Sequence, residues 1–236
     1  MTQPSPEHRN PEGILVLTAD FETGYWALRL LLEDVGSQVK TVKLGQELLL
    51  HESAWPIHKS LLTMGTDSSF DTSLDAKYSE NPDQMRSVVT KAFDKGFRHV
   101  SVAASASVES LISASQAVPD GGHIFMALPG GNEELVRIGL RSVRSANAEL
   151  DDDRKISEIM CNVRDIGLVK SMGEFSVTVT GIRLLGDSPD DQPFVATPAE
   201  ALAMGADYLA VGRSITGKAD QAAAYKQVWE NISLAR

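Results

Sequence analysis

Short apolar runs alternate with amphipathic segments along the chain. Each apolar run has the length of a buried strand, and the segments between them carry apolar residues at helical spacing, as with Leu28, Leu31 and Leu32. The pattern predicts eight strands, at residues 13–20, 38–44, 69–75, 99–103, 124–128, 159–162, 175–180 and 207–211. Strands that alternate with helices form right-handed βαβ units and a parallel sheet.

Eight units fit the length of the chain, because 236 residues give about 30 residues for each unit. The pattern therefore favours an α/β fold, a (β/α)8 TIM barrel, as a single domain over residues 13–236. The polar, proline-containing residues 1–12 are expected to be a loosely attached tail. The alternative is a doubly wound open sheet. Its Gly-rich turn after the first strand is missing here, since the chain continues as Phe21-Glu22-Thr23-Gly24.

Composition narrows the range of partners. The chain has 32 acidic and 22 basic residues and a net charge of −10, which argues against binding to nucleic acid or to an anionic membrane. One cysteine, Cys161, excludes an internal disulfide, and no apolar run reaches the length of a membrane span. These features predict a cytoplasmic protein whose partner is a small molecule.

Charged residues follow several predicted strands, where catalytic groups of such barrels lie. They are Asp20, Lys43, Asp75 with Lys77, and Arg213. Residues two apart in a strand point to the same side, so Asp75 and Lys77 are expected to project together. A lysine held between Asp75 and another carboxylate would keep its proton and serve as an acid. The alternative is a surface ion pair, because Asp-x-Lys alone is a weak signal.

The last predicted strand is followed by Gly212-Arg213. Backbone N–H groups and a guanidinium at this place are typical of the phosphate site of a (β/α)8 barrel, although a tight turn with an exposed arginine has the same sequence. The five histidines lack the spacing of metal ligands, and no Walker motif or nucleophile elbow is present. We therefore expect no metal site.

The order of these motifs resembles the orotidine 5′-phosphate decarboxylase family, from Leu15 to about Ile232. The resemblance rests on Thr18-Ala19-Asp20-Phe21, Val42-Lys43-Leu44-Gly45, Asp75-Ala76-Lys77-Tyr78-Ser79-Glu80-Asn81-Pro82, Gly181-Ile182-Arg183, Asp191-Gln192, Thr197-Pro198 and Gly212-Arg213. It implies an enzyme of pyrimidine biosynthesis that converts orotidine 5′-phosphate to uridine 5′-phosphate without a cofactor.

The resemblance also implies roles for individual residues. Lys77 would protonate the carbon that loses carbon dioxide, and Asp75 would lie beside the substrate carboxylate. Lys43 and Asp20 would hold the ribose and organise the charge network of the site. Glu80 takes the place of an acid that enters the site from the partner subunit, which implies a homodimer. The phosphate would be bound, under a closing loop, by Gln192, Gly212 and Arg213.

Several residues depart from the family pattern. Glu80 replaces an aspartate, Phe194 replaces an arginine, and residues 128–131 lack the Thr-Ser pair that contacts the pyrimidine. Two other functions therefore remain open. One is that of a magnesium-dependent sugar-phosphate relative of the 3-hexulose-6-phosphate synthase type, in which a metal-binding glutamate would take the place of Lys43. The other is a non-catalytic binder of a phosphorylated ligand.

Overall fold

Eight parallel strands close into a barrel in chain order, and β1 pairs with β8. The computed structural model describes residues 15–19, 32, 34, 39–46, 59 and 70–235. The strands are β1 (Leu15–Ala19), β2 (Thr41–Gly45), β3 (Asp71–Tyr78), β4 (His99–Ala103), β5 (His123–Ala127), β6 (Glu158–Asn162), β7 (Ser176–Thr180) and β8 (Tyr208–Val211). The predicted (β/α)8 barrel is confirmed.

Helices follow the strands on the outside of the barrel. Within the described part of the chain they are α1 (Pro82–Asp94), α2 (Val108–Gln116), α3 (Glu133–Glu149), α4 (Ile166–Met172), α5 (Pro198–Ala203), α6 (Arg213–Thr216) and α7 (Gln221–Ser233). Short 3₁₀ turns, Asp152–Arg154 and Val163–Asp165, precede β6 and α4. Among the described residues, no helix is long and apolar enough to cross a membrane.

Helix ends coincide with side chains that satisfy free backbone N–H groups. Asn81, Ser107 and Asn132 accept hydrogen bonds from the first turns of α1, α2 and α3. Thr197 and Glu200 form a reciprocal capping box at α5, with Pro198 in the first helical position. These caps fix where each helix begins, and hence the length of each loop that carries the site.

The two faces of the strands bury different side chains. Outward residues such as Leu17, Val42, Val100 and Val177 are buried against the helices. Inward residues include a separate small apolar cluster inside the barrel, formed by Phe125, Ala127 and Met160. Because both faces of the strands are buried, their sequences are nearly continuous apolar runs.

The strand bounds differ from the predicted ones mainly at β3. This strand was expected to end at Asp75, but it continues to Tyr78, so Lys77 lies within the strand and not after it. The reason is an irregularity in its pairing with β4, described below. Asp20, the tail 1–12 and most of the two helical segments predicted between β1 and β3 lie outside the described residues.

Candidate active site

A cleft of about 460 Å³ opens at the carboxyl ends of the strands. It contains most of the candidate residues taken from the sequence. Its wall includes Thr18, Lys43, Asp75, Lys77, Asn162, Thr180, Gly181, Arg183, Asp191, Gln192, Gly212 and Arg213. The cleft thus has a lysine-rich end at β2 and β3 and an arginine-containing end beside β7 and β8.

Asp75 joins two lysines at the first end. Its Oδ2 lies 2.6 Å from Lys43 Nζ, and its Oδ1 lies 2.9 Å from Lys77 Nζ. Lys43 and Asp75 are buried, whereas the Lys77 side chain is 54% exposed and faces the open cleft. The sequence argument placed a lysine between two carboxylates. In the structure a carboxylate lies between two lysines, and the three charges sum to +1.

A bulge in β3 places Lys77 in this position. Leu74 pairs with Val100, and Tyr78 pairs with Val102. Between these two pairs β3 advances by four residues while β4 advances by two, so β3 contains two extra residues. Lys77 adopts a left-handed backbone conformation with φ of 51°, which a non-glycine residue rarely takes. Bulges redirect side chains near active sites. Here the bulge brings the Lys77 ammonium back to Asp75 while leaving it accessible from the cleft.

Ser101, in the middle of β4, holds the bulge. Its hydroxyl accepts a hydrogen bond of 2.7 Å from the backbone N–H of Lys77 and donates one of 3.1 Å to Asp75 Oδ1. Ser101 is fully buried. One side chain therefore fixes both the backbone of the lysine and the orientation of the carboxylate. The sequence signal for Ser101 was a polar residue between two valines, Val100 and Val102, in a predicted strand.

The surroundings of Asp75 act on its pKa in opposite directions. Burial raises the pKa, because the charged form loses its hydration. The positive charges of Lys43 and Lys77 and their hydrogen bonds outweigh burial, so the net shift of the Asp75 pKa is downward. Asp75 is therefore a carboxylate at neutral pH, and it has no proton to offer to a ligand.

The other end of the cleft carries Gln192, Gly212 and Arg213. Gly212 caps α6, whose first residue is Arg213. The Arg213 guanidinium pairs with Asp191 and lies 3.3 Å from Asp190 Oδ2. The hydrogen bond from Arg213 lowers the pKa of Asp191, which is exposed and stays ionised. An anion at this end would share Arg213 with these carboxylates.

The loop after β7 is tied down by Arg183, a residue to which the sequence assigned no role. Its guanidinium donates to the carbonyls of Ser188 at 2.9 Å and Ile182 at 3.0 Å, and it lies 3.3 Å from Asp190 Oδ2. Arg183 is itself buried. Asp187 fixes the same loop to the next segment, since it accepts a 2.7 Å bond from Ser214 and pairs with Lys218.

Where the cleft meets the ends of β6 and β7, the Phe194 carbonyl lies close to both the Asn162 side chain and the Gly181 backbone. Asn162 Nδ2 donates to the Phe194 carbonyl at 3.0 Å. Gly181 has φ of 79°, and a Cβ at this position would lie 2.6 Å from the same carbonyl. Only glycine fits there. The sequence argument did not single out Asn162, although a polar residue at the end of a strand was the signal it used elsewhere.

Two candidate residues are not in the cleft as described. Glu80 is exposed on the segment after β3, where its backbone carbonyl accepts a bond from Ser110 Oγ, and it does not line the cleft. Asp20 lies outside the described residues. Within the described ranges, no group of three or more His, Cys, Asp or Glu side chains is arranged to hold a metal ion.

Comparison with known proteins accounts for this combination of fold and cleft. The model of the orotidine 5′-phosphate decarboxylase / HUMPS family matches residues 13–228. The chain belongs to this family. A family relative from Laribacter hongkongensis (strain HLHK9), named orotidine 5′-phosphate decarboxylase, is 28% identical over 219 residues, which cover 87% of each chain.

Solved structures of two differently named proteins share the fold. Orotidine 5′-phosphate decarboxylase from Pyrococcus horikoshii OT3 has a TM-score of 0.69 at 18% identity, covering 93% of this chain and 99% of that one. 3-Hexulose-6-phosphate synthase from Salmonella typhimurium has a TM-score of 0.71 at 17% identity, covering 94% and 99%. At these identities the likeness establishes the barrel only, so the reaction must be argued from the site.

Proposed function

We propose that this chain decarboxylates orotidine 5′-phosphate to uridine 5′-phosphate, a step of pyrimidine biosynthesis, and does so in the cytoplasm. The observation that carries the proposal is the Lys43–Asp75–Lys77 arrangement, in the cleft of a barrel that belongs to this family. It supplies a fixed negative charge and an accessible ammonium group next to each other. A decarboxylation that ends in protonation of carbon needs both.

Asp75 raises the energy of the bound substrate relative to the product. A substrate carboxylate about 4 Å from Asp75 is repelled by about 4 kcal/mol at an effective dielectric constant of about 20. The repulsion disappears when carbon dioxide leaves. Because Asp75 is buried and bonded to Lys43 and Ser101, it cannot turn away from the incoming carboxylate.

Lys77 completes the reaction. The bond between the ring carbon and the carboxylate carbon breaks, carbon dioxide departs, and the electron pair stays on the ring carbon. The nearby Lys77 ammonium stabilises that carbanion and transfers a proton from Nζ to it, forming the new C–H bond. The neutral amine then regains a proton from water. Atoms and charge balance with no further reactant.

The phosphate is bound at the far end of the cleft in this scheme. Gln192 and Arg213 would contact its oxygens, and the backbone at Gly212 leaves room for their approach. Binding energy from this remote group can be used to close the site and exclude water. The loop held by Arg183 carries Gln192, so its anchoring decides where the phosphate lies.

We propose in addition that the enzyme is a homodimer in which Glu80 enters the site of the partner subunit. An apolar groove beside Lys77 reaches the exposed side chains of Leu135 and Ile138, which are 46% and 45% exposed. Ser105 lines this groove and hydrogen-bonds to Ser79, the neighbour of Glu80. A second copy that covers the groove would therefore approach both Lys77 and Glu80.

Mixing two inactive variants tests the dimer. Lys77→Ala and Glu80→Gln each damage one component of a shared site, and a mixed dimer combines an intact Lys77 from one chain with an intact Glu80 from the other. Random exchange should restore about one quarter of wild-type activity, because half of the dimers are mixed and each has one complete site. No recovery on mixing, or a monomer in sedimentation, would contradict the shared site.

The activity itself is tested with purified protein and orotidine 5′-phosphate. We expect loss of the substrate's absorbance without added metal and in the presence of EDTA. Binding of uridine 5′-phosphate without turnover would indicate a non-catalytic binder. EDTA-sensitive activity on a sugar phosphate would indicate the magnesium-dependent relative, which the Lys43 ammonium beside Asp75 disfavours because it would repel the metal.

A further inference from the structure

A buried hydroxyl lies in the cleft with no hydrogen-bond partner among the residues that the structure describes. Thr18, on β1, is 8% exposed, lines the cleft, and its Oγ1 has no partner within the described part of the chain. We infer that Thr18 is a specificity-determining residue that hydrogen-bonds to a ribose hydroxyl of the substrate. The inference rests on the proposed function and adds a contact that the charged residues do not provide.

Thr18 occupies the middle of the cleft. It stands in register with Lys43 across the β1–β2 pair, on the side where decarboxylation is proposed. On its other side is Gly212, where a Cβ would lie 3.5 Å from the Thr18 Cβ. Thr18 therefore lies between the lysine-rich end and the phosphate end of the cleft.

An unmatched hydroxyl in this position needs an explanation. A buried polar group without a partner costs stability, and valine has nearly the same shape and no such cost. Other polar side chains deep in the cleft are bonded: Asp75 to Lys43 and Ser101, and Asn162 to the Phe194 carbonyl. The Thr18 hydroxyl lines the cleft and has no partner among the described residues, so a bound ligand is the natural source of its hydrogen bond.

The position identifies the chemical class of that partner. In orotidine 5′-phosphate the ribose joins the reacting ring to the phosphate, so a substrate that spans the cleft places its sugar over Thr18. A ribose hydroxyl both donates and accepts hydrogen bonds, as does the threonine hydroxyl. Lys43, its neighbour in register, can only donate. Thr18 thus offers the sugar an acceptor as well as a donor.

The test compares binding of uridine 5′-phosphate with that of its 2′-deoxy and 3′-deoxy analogues by calorimetry. Thr18→Val should weaken binding of uridine 5′-phosphate about tenfold, the loss of one hydrogen bond. Thr18→Ser, which keeps the hydroxyl, should bind within about threefold of wild type. The effect of Thr18→Val should vanish for the one analogue that lacks the contacted hydroxyl. Thermal unfolding of both variants checks that the barrel is intact.

Two results would overturn the inference while leaving the proposed function in place. They are unchanged binding of uridine 5′-phosphate by Thr18→Val, and equal weakening for all three ligands, in an enzyme whose wild type decarboxylates orotidine 5′-phosphate. A wild-type protein that neither turns over this substrate nor binds uridine 5′-phosphate overturns the proposed function and the role of Thr18 together.

Discussion

The two ends of the cleft are built in different ways. At the reaction end, Asp75 is 5% exposed and held by side chains of three neighbouring strands. At the phosphate end, the Asp191 side chain is 69% exposed, and its partner Arg213 is 35% exposed. The first end is part of the barrel wall. The second is a loop, fastened to the barrel by Arg183 and Asp187.

This difference in burial and anchoring fits the function proposed for each end of the cleft. Decarboxylation depends on the separation between Asp75, Lys77 and the substrate, so both residues gain from a rigid strand, and Asp75 gains from its buried, low-dielectric setting. A phosphate must enter and leave, and its recognition tolerates water and small movements. Substitutions at the first end should therefore change kcat, and substitutions at the second should change KM.

Lys77→Ala is the substitution with the largest expected effect. Without the ammonium group the carbanion is neither stabilised nor protonated, and we expect kcat to fall by about 10⁴-fold. Because the Lys77 side chain is half-exposed, the fold and the binding of uridine 5′-phosphate should survive. Steady-state kinetics and calorimetry measure both quantities. Lys91→Ala, at an exposed lysine of α1, is the matched control and should behave as wild type.

Arg213→Ala should have the next largest effect, and it should be confined to substrates that carry a phosphate. Loss of charge-assisted bonds to phosphate is expected to lower kcat/KM for orotidine 5′-phosphate about 100-fold, mainly through KM. Activity towards orotidine, which has no phosphate, should not change. A similar loss with both substrates would show that Arg213 does not act on the phosphate. Arg141→Ala on the exposed face of α3 is the control.

Ser101→Ala tests whether the reaction end depends on positioning. Asp75 and the Lys77 backbone each lose one hydrogen bond, so we expect kcat to fall about tenfold while binding of uridine 5′-phosphate is kept. Ser113→Ala removes another buried hydroxyl, bonded to the Pro82 carbonyl away from the cleft. It should lower stability without changing kcat. Equal effects of the two variants on kcat would assign Ser101 a purely structural role.

Asp187→Asn should have the smallest effect, and one that depends on pH. Burial raises the pKa of Asp187, but hydrogen bonds from Lys218 and Ser214 outweigh it, so the net shift is downward. Its ionised form therefore stabilises the fold above about pH 4, and this contribution is lost as the pH falls further. The difference in Tm between wild type and variant should be largest near pH 6 and should shrink as the pH falls below about 4.

The control for this measurement is Asp152→Asn. Asp152 pairs with Lys155 on the surface, and a solvent-exposed ion pair contributes little to stability. Its Tm should match that of the wild type throughout the same pH range. A Tm difference for Asp187→Asn that does not change with pH would mean that the loop is held by packing and not by the Asp187 charge.

Much of the barrel could be predicted from the sequence because its strands are buried on both faces. The predicted β4, residues 99–103, has the same bounds as the observed strand, and most others differ by one to three residues at an end. Lys43, Asp75 and Lys77 could be found as charges near strand ends, where the parallel topology brings them together. These inferences needed only the period of the pattern and the direction of the strands.

The remaining features depend on contacts that no periodic pattern contains. The β3 bulge arises from its pairing with β4, and the segment Leu74–Tyr78 alone does not show that two of its residues are extra. In the sequence Arg183 is one of several charged residues in a polar loop. In the structure it is buried against loop carbonyls, and folding is what brings these carbonyls around it. The positioning role of Ser101 could be assigned only once its hydrogen bonds to Lys77 and Asp75 on β3 were known.

The pairing of β1 with β8 also has a consequence for folding. Leu15 pairs with Leu209 and Val16 with Ala210, so the barrel cannot close until segments far apart in the chain have met. Contacts of such high sequence separation form slowly. Until the barrel closes, β1 and β8 expose unpaired backbone groups to other chains. Thr18 and Gly212 adjoin the same seam. The middle of the binding cleft is therefore assembled only when the barrel closes, so a partly folded chain can already carry Asp75 and Lys77 on adjacent strands without being able to hold a substrate.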